Sequence, residues 1–247
     1  MVQDTNSRMK EAVGMAAVDA LVRSGMKLGL GTGSTAIHAI YRVGELLAQG
    51  SLRDISAFAT SFQAEIACEQ LGIPLYPLNS RELSGSLDLT IDGADEVDPQ
   101  NRLIKGGGGA LLIEKVAAYA SGLYAITVDE SKIAGSLGTG FPVPVEVIPE
   151  ARVTAAQALA ALGASVTLRE ALRKAGPVIT EHGNLLLDIR FAAPVDPAAM
   201  ESEINHIPGV VENGFFTRKK ALVYIARSDG SVELRSYNRE DTNEGRR

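Results

Sequence analysis

Short apolar runs alternate with helical runs from Glu11 to Asp129, and this alternation restricts the fold more than any other feature of the chain. "EAVGMAAVDALV" (11–22) reads as a helix, and "MKLGLGTGS" (26–34) as a strand ending in glycines. "TAIHAIYRVGELLAQG" (35–50) is helical and closed by Gly50. "ISAFAT" (55–60) is a strand, and "SFQAEIACEQLG" (61–72) a helix ending at Gly72. "IPLYPL" (73–78) is a further candidate strand, "LDLTID" (87–92) a buried strand, "ALLIEKVAAYAS" (110–121) a helix and "LYAITVD" (123–129) a strand. Such alternation predicts parallel βαβ units with helices on both faces of a twisted sheet.

The texture changes after "FPVPVEVIPE" (141–150). A helix, "TAAQALAALG", precedes short strands around "SVTL", "GPVIT" and "NLLLDIRF", with "EHGN" as a hairpin turn between the last two. "DPAAMESEINHI" is a helix with Pro197 in its first turn, and "GVVENGFF" is another strand. This α+β patterning places a smaller domain at residues 138–213. The larger domain takes residues 1–137 and 214–247, because "ALVYIAR" and "SVELRS" flank an Asp229-Gly230 turn and can return to the first sheet. The tail "NREDTNEGRR" is expected to lack order.

Two glycine loops follow strands. In "GLGTGSTA", Gly31, Gly33 and Ala36 fit the dinucleotide pattern G-x-G-x-x-G/A. A dinucleotide site also needs an acid at the end of the second strand, and that strand ends in Thr60 and Ser61. The hydroxyls of Thr32, Ser34 and Thr35 before a helix suit a terminal phosphate instead. Spacing alone leaves open a plain turn capped by Ser34 or Thr35. The second loop, "KGGGGALLIEK" (105–115), sacrifices backbone order at four consecutive glycines, which suits close approach of a ligand to the chain.

The charged residues cluster around that second loop. Asp92 stands at the C-terminal end of an apolar strand, the edge where ligands bind in open parallel sheets, and Asp95 follows in the turn. Glu96 and Asp98 read as ordinary turn formers. Glu114 and Lys115 are the only charges between Ala110 and Ala120. Apolar cover would raise the Glu114 pKa towards that of a base working at neutral pH, while the helix N-terminus would lower it. From spacing alone, a narrow wet stripe at Glu114–Lys115 is the simpler reading. Lys132 also follows a strand, and spacing reads it as a solvated loop residue. His38 reads as packed or exposed, not catalytic.

Composition excludes several classes. A net charge of −6 argues against non-specific nucleic-acid binding. One cysteine, Cys68, permits neither an internal disulfide framework nor a cysteine metal site, and the three histidines have no metal spacing. No apolar run approaches the ~20 residues of a membrane helix, and the first residues have no signal core. The expectation is a soluble cytoplasmic protein.

Taken in order, "GTGSTA", "DGADEVD", "KGGGGALLIEK", "VDESKIAGSLG" and "PVPVEVIP" are similar to the motifs of the type A ribose-5-phosphate isomerases, and "IPGVVENGFF" resembles their smaller domain. The resemblance covers nearly the whole chain. It implies an α/β fold: a Rossmann-like domain with a mostly parallel sheet plus a smaller α+β, ferredoxin-like lid. It implies interconversion of ribose 5-phosphate and ribulose 5-phosphate through a cis-enediolate, without metal or organic cofactor. That reaction belongs to the non-oxidative pentose phosphate pathway, and to the Calvin cycle in a photosynthetic source. The implied partners are a pentose phosphate and further copies of the chain, as a dimer or tetramer, with neither nucleic acid nor membrane.

Residue by residue, Glu114 falls on the family's proton acceptor. Thr32, Gly33, Ser34 and Thr35 fall on the first substrate loop, and Asp92, Gly93, Ala94 and Asp95 on the second. Lys105, Gly106, Gly107 and Gly108 fall on the third, and Lys132 on the last substrate-binding lysine. Asp92 and Lys105 are implied to assist catalysis, Asp92 in sugar ring opening and Lys105 on the oxyanion. Gly109 stands where relatives often have alanine, Ile113 where they often have arginine, and "TSFQ" (60–63) replaces a serine-rich stretch. Two rivals share these features. A non-catalytic sugar-phosphate sensor would normally carry a DNA-binding helix pair, but residues 1–27 offer one helix and no basic cluster. A nucleotide-dependent oxidoreductase would need the missing second-strand acid.

Overall fold

A computed structural model describes residues 2–236. The expectation for the tail at 238–247 lies outside the described residues. In chain order the helices are α1 (Val2–Leu21), α2 (Ile37–Ala48), α3 (Phe62–Gln70), α4 (Leu111–Ala120), α5 (Arg152–Ala161) and α6 (Pro197–Asn205). The strands of the first half are β1 (Lys27–Leu30), β2 (Ser56–Ala59), β3 (Leu87–Asp92), β4 (Glu96–Val97), β5 (Leu103–Ile104) and β6 (Ser121–Asp129). Then come β7 (Val143–Val147), β8 (Ala164–Leu168), β9 (Leu185–Phe191), β10 (Val210–Asn213), β11 (Phe215–Phe216), β12 (Leu222–Ala226) and β13 (Val232–Arg235).

The central sheet has the order β13-β12-β6-β3-β1-β2 and is parallel except for the β12/β13 hairpin. Strand order reverses between β1 and β3. In an open α/β sheet that reversal opens a crevice beyond the carboxyl ends of the two strands. Apolar faces of α1, α2 and α3 (Val13, Val18, Ile40, Val43, Ala64) pack with Leu28, Leu30, Leu89 and Ile91 on one core. Ala118 of α4 joins Tyr124, Ile126, Val128 and Phe216 in another. Helices thus cover both faces, as the alternating pattern requires.

The second sheet, β10-β7-β9-β8, is antiparallel throughout. With α5 and α6 it forms a βαββαβ unit, the ferredoxin-like arrangement. Its core joins Val143, Val145, Leu187 and Ile189 to Leu159 and Ile204. A small third sheet, β11-β5-β4, bridges the two units.

Several expectations need correction. The first helix starts nine residues earlier than the apolar period suggested, at Val2 instead of Glu11. "IPLYPL" and "GPVIT" make only isolated bridges, Ala57 with Leu75 and Glu170 with Pro177 or Ile179 with Leu185. Prolines 74, 77 and 177 lack the N–H that a ladder needs. "GVVENGFF" is two strands, broken at Gly214. A Cβ there would lie 2.5 Å from the Lys105 carbonyl oxygen and 2.6 Å from Pro144, so only glycine lets the chain cross between the sheets. Glu96 is no simple turn former. It is buried on β4, and its carboxylate accepts from the N–H groups of Gly138 (3.2 Å) and Phe141 (2.7 Å). Asp98 does build its turn, accepting from Gln100 and Arg102 N–H groups and pairing with the Arg102 guanidinium at 2.6 Å.

Candidate active site

The crevice at the β1/β3 reversal is a cleft of about 100 Å³. It is lined by Thr32, Gly33, Ser34, Thr35, Gly93, Ala94, Asp95, Lys105, Gly106, Gly107, Gly108, Glu114 and Lys132. Every residue expected to bind or act on a substrate therefore lies in one place, except that Asp92 lies beneath the floor, fully buried.

Asp92 ends β3 and works inwards. Its Oδ1 accepts from Thr32 N–H (3.1 Å) and Gly93 N–H (2.7 Å), tying the first two loops together. Gly31 makes that approach possible: a Cβ there would stand 2.1 Å from Asp92 Oδ1. The other oxygen, Oδ2, is 2.9 Å from Lys105 Nζ. The same ammonium lies 3.3 Å from Glu114 Oε2 and donates to the Gly93 carbonyl at 2.6 Å. Asp92 Oδ2 and Glu114 Oε2 are buried without an aligned hydrogen bond, so their contacts with Lys105 are ionic.

Glu114 and Lys115 are not a wet stripe. They are 4 % and 3 % exposed. Neighbours on a helix point about 100° apart, so Glu114 faces the cleft while Lys115 faces the small domain. Lys115 Nζ meets Glu201 (3.1 Å), Glu212 (2.7 Å) and the Asn213 carbonyl (2.7 Å). The Phe216 ring lies near both ammoniums, 5.7 Å from Lys105 Nζ and 4.8 Å from Lys115 Nζ.

Burial dominates the electrostatics. It raises the Glu114 pKa to about 8; Lys105 pulls the other way, and Asp92 and Asp95 add to the rise. Burial also raises Asp92, against Lys105 and the two backbone donors. For Lys105 burial favours the neutral form, but Asp92 and Glu114 outweigh it and hold the pKa above its usual value. Two carboxylates share one ammonium in a dry place. Asp92 has the extra N–H donors and is the better anion, which leaves Glu114 as the group that holds or releases a proton.

The loops are braced from behind. Thr32 Oγ1 lies 2.8 Å from Thr60 Oγ1 and 2.5 Å from Ser61 Oγ, and Ser61 caps α3. The Gly33 N–H donates to Gln63 Oε1 at 2.9 Å, which gives the unusual "TSFQ" stretch a place in the site. Ala36, not Ser34 or Thr35, precedes α2, and no side chain caps that helix. Asp95 Oδ2 accepts from Gly107 N–H at 2.7 Å. Lys132 ends a short 3-10 turn (Glu130–Lys132) held by Asp129. His38 packs edge-on to Tyr41. Sequence reasoning missed Gln63 and also Lys10, whose Nζ donates to Ser34 Oγ at 2.9 Å. Neither carries a local signal, since each acts across a long loop of chain.

Comparison with known proteins decides the family. The family model of ribose 5-phosphate isomerase A (phosphoriboisomerase A) matches residues 56–230. The chain belongs to the ribose 5-phosphate isomerase A family. Members interconvert ribose 5-phosphate and ribulose 5-phosphate. The ribose-5-phosphate isomerase A of Treponema denticola is 51% identical over 234 residues, 92% of this chain and 98% of that one. The solved ribose 5-phosphate isomerase A of Methanocaldococcus jannaschii superposes with a TM-score of 0.86 at 40% identity, covering 93% of this chain and 99% of its own. A D-ribose-5-phosphate isomerase solved with phospho-erythronic acid gives 0.87 at 39% identity, covering 92% and 97%. Among the described residues no helix is long and apolar enough to cross a membrane, and no cluster of acids, histidines and cysteine could hold a metal ion.

Proposed function

We propose that this chain isomerises D-ribose 5-phosphate and D-ribulose 5-phosphate, with Glu114 as the base that carries the proton. The observation behind this is the buried Glu114 carboxyl beside Lys105 at the wall of a cleft built from strand-end loops. Glu114 takes the proton from C2 of the open-chain aldose and returns it to C1, while the O2 hydroxyl proton passes to the adjacent O1. A cis-enediolate lies between. One base on one face serves both transfers, so the carbon chemistry needs no metal or organic cofactor. Lys105, with the N–H groups of Gly106 and Gly108, faces the developing oxyanion. The Gly33–Thr35 loop and Lys132 suit the phosphate. Asp95 and the Gly93–Ala94 backbone suit sugar hydroxyls. Asp92 supports ring opening by holding Lys105 between itself and Glu114.

Residues 138–213 serve in this reading as a lid and oligomerisation domain on a catalytic domain of residues 1–137 and 214–247. A homodimer or tetramer in the cytoplasm is the expected state. The test is incubation with ribose 5-phosphate and EDTA, without cofactor, followed by assay for the ketose. Wild type should produce it, and Glu114→Gln should bind a sugar phosphate yet fail to turn it over. Near-normal turnover in that variant would remove Glu114 from the mechanism.

A further inference from the structure

Arg169 stands just beyond β8 in the ferredoxin-like unit, yet its side chain reaches the glycine loop of the other unit. Its Nη1 donates to the carbonyls of Gly106 (2.9 Å) and Gly107 (3.1 Å). Its Nε and Nη2 meet the two oxygens of Asp188 at 2.8 and 2.5 Å. The residue is fixed at its base too: Arg169 N–H donates to the Leu186 carbonyl, and its own carbonyl accepts from Val178 N–H, both at 2.9 Å. Asp188 sits on β9 between Pro144 and Thr167.

The chemistry of this fork is geometric. Asp188 neutralises the guanidinium, so its remaining donors act as a clamp and not as a free charge. A run of four glycines has little conformational preference of its own, and something must choose its peptide orientations. In a trans peptide the C=O and the next N–H point in opposite directions. Drawing the Gly107 carbonyl to Arg169 therefore turns the Gly108 N–H away from the guanidinium, and Gly108 lines the cleft beside Thr32. Drawing the Gly106 carbonyl the same way turns the Gly107 N–H to Asp95, which accepts it.

We propose that Arg169, held by Asp188, is a positioning residue that sets the glycine-loop peptides so that the Gly108 N–H serves as an oxyanion donor. This rests on the isomerase reading above. The small domain then acts on the reaction through one side chain as well as through shape.

The test compares wild type with Arg169→Ala and Arg169→Lys. Lysine keeps the charge but cannot span a carboxylate and two carbonyls at once. Two ligands separate the parts of the cleft: phospho-erythronic acid, whose carboxylate mimics the enediolate oxygens, and inorganic phosphate, which needs only the phosphate loop. Binding is read by calorimetry, and turnover of ribose 5-phosphate is followed alongside. Both variants should lose affinity for phospho-erythronic acid by about tenfold to a hundredfold, the scale of a misplaced catalytic group. Phosphate affinity should stay within about twofold, and kcat should fall more than KM rises. Unchanged binding of both ligands, or equal weakening of both, would overturn the proposal. Absence of turnover in wild type would count against the isomerase reading alone, since the two binding measurements still decide the role of Arg169.

Discussion

Lys105 Nζ lies 3.3 Å from Glu114 Oε2, and both side chains are almost wholly buried at the cleft wall. The acid therefore titrates against one shared ammonium with Asp92 as its competitor, and the pH behaviour of the site follows from that.

The pH profile should carry the mark of Glu114. Its pKa stands at about 8 against an ordinary 4.5, so the basic form grows in at mildly alkaline pH. Initial rates should give a kcat/KM that rises with pH through an inflection near 8. A limb in the ordinary carboxylate range would contradict the assignment. The same shift acts on stability. The folded state binds the proton more tightly than the unfolded chain, so this contribution is complete below about 4.5 and is lost as pH rises through about 8. Chemical melts of Glu114→Gln should lack that decline.

Lys105→Ala should be damaging twice over. It strips the counter-ion from two buried carboxylates, a change that costs about 3–5 kcal/mol of stability when a buried pair is broken. It also removes a donor to the oxyanion, for which a loss of ~10²–10³ in kcat is typical. Urea melts and steady-state kinetics read the two effects separately. Unchanged catalytic efficiency in the folded variant would take Lys105 out of the site.

Gly31→Ala should open the crevice. The added methyl would meet Asp92 Cα at 2.6 Å as well as its carboxylate, so β1 and β3 must shift apart. Overpacking of this kind costs about 1–3 kcal/mol. Because Asp92 holds Lys105, turnover should fall along with the melting temperature. A variant with wild-type kinetics would show that this contact does not transmit to the site.

Lys115→Ala should loosen the attachment of α4 to the small domain. Lys115 is the hub for Glu201, Glu212 and the Asn213 carbonyl, and Tyr119 Oη also donates to Glu201 at 2.9 Å. Removing this cation takes the counter-charge from the buried Glu201 carboxylate, at about 3–5 kcal/mol. Tyr119→Phe deletes a single hydrogen bond and should cost only about 1 kcal/mol. Equal, small effects in denaturant titrations would mean that the network is solvated.

Much of the fold was readable from local pattern. The period of the apolar residues and the glycines at strand ends placed β1, β3, β6 and the loops that follow them. The β4/β5/β11 sheet was not readable, because two-residue strands have no period. Glu96 looked like a turn residue for the same reason, and its burial depends on a loop 42 residues away.

The amino-acid sequence alone determined the alternating α/β architecture, the mixed α+β character of the second unit and the set of loops that converge on one sheet edge. These follow from hydrophobic period and backbone chemistry, which act over a few residues. Tertiary structure decided the protonation of Glu114, the burial of Lys115, the place of Asp92 below the cleft and the grip of Arg169 on a loop 62 residues away. A pKa or a clamp depends on desolvation and on which distant groups come within about 3 Å, and no local pattern encodes that.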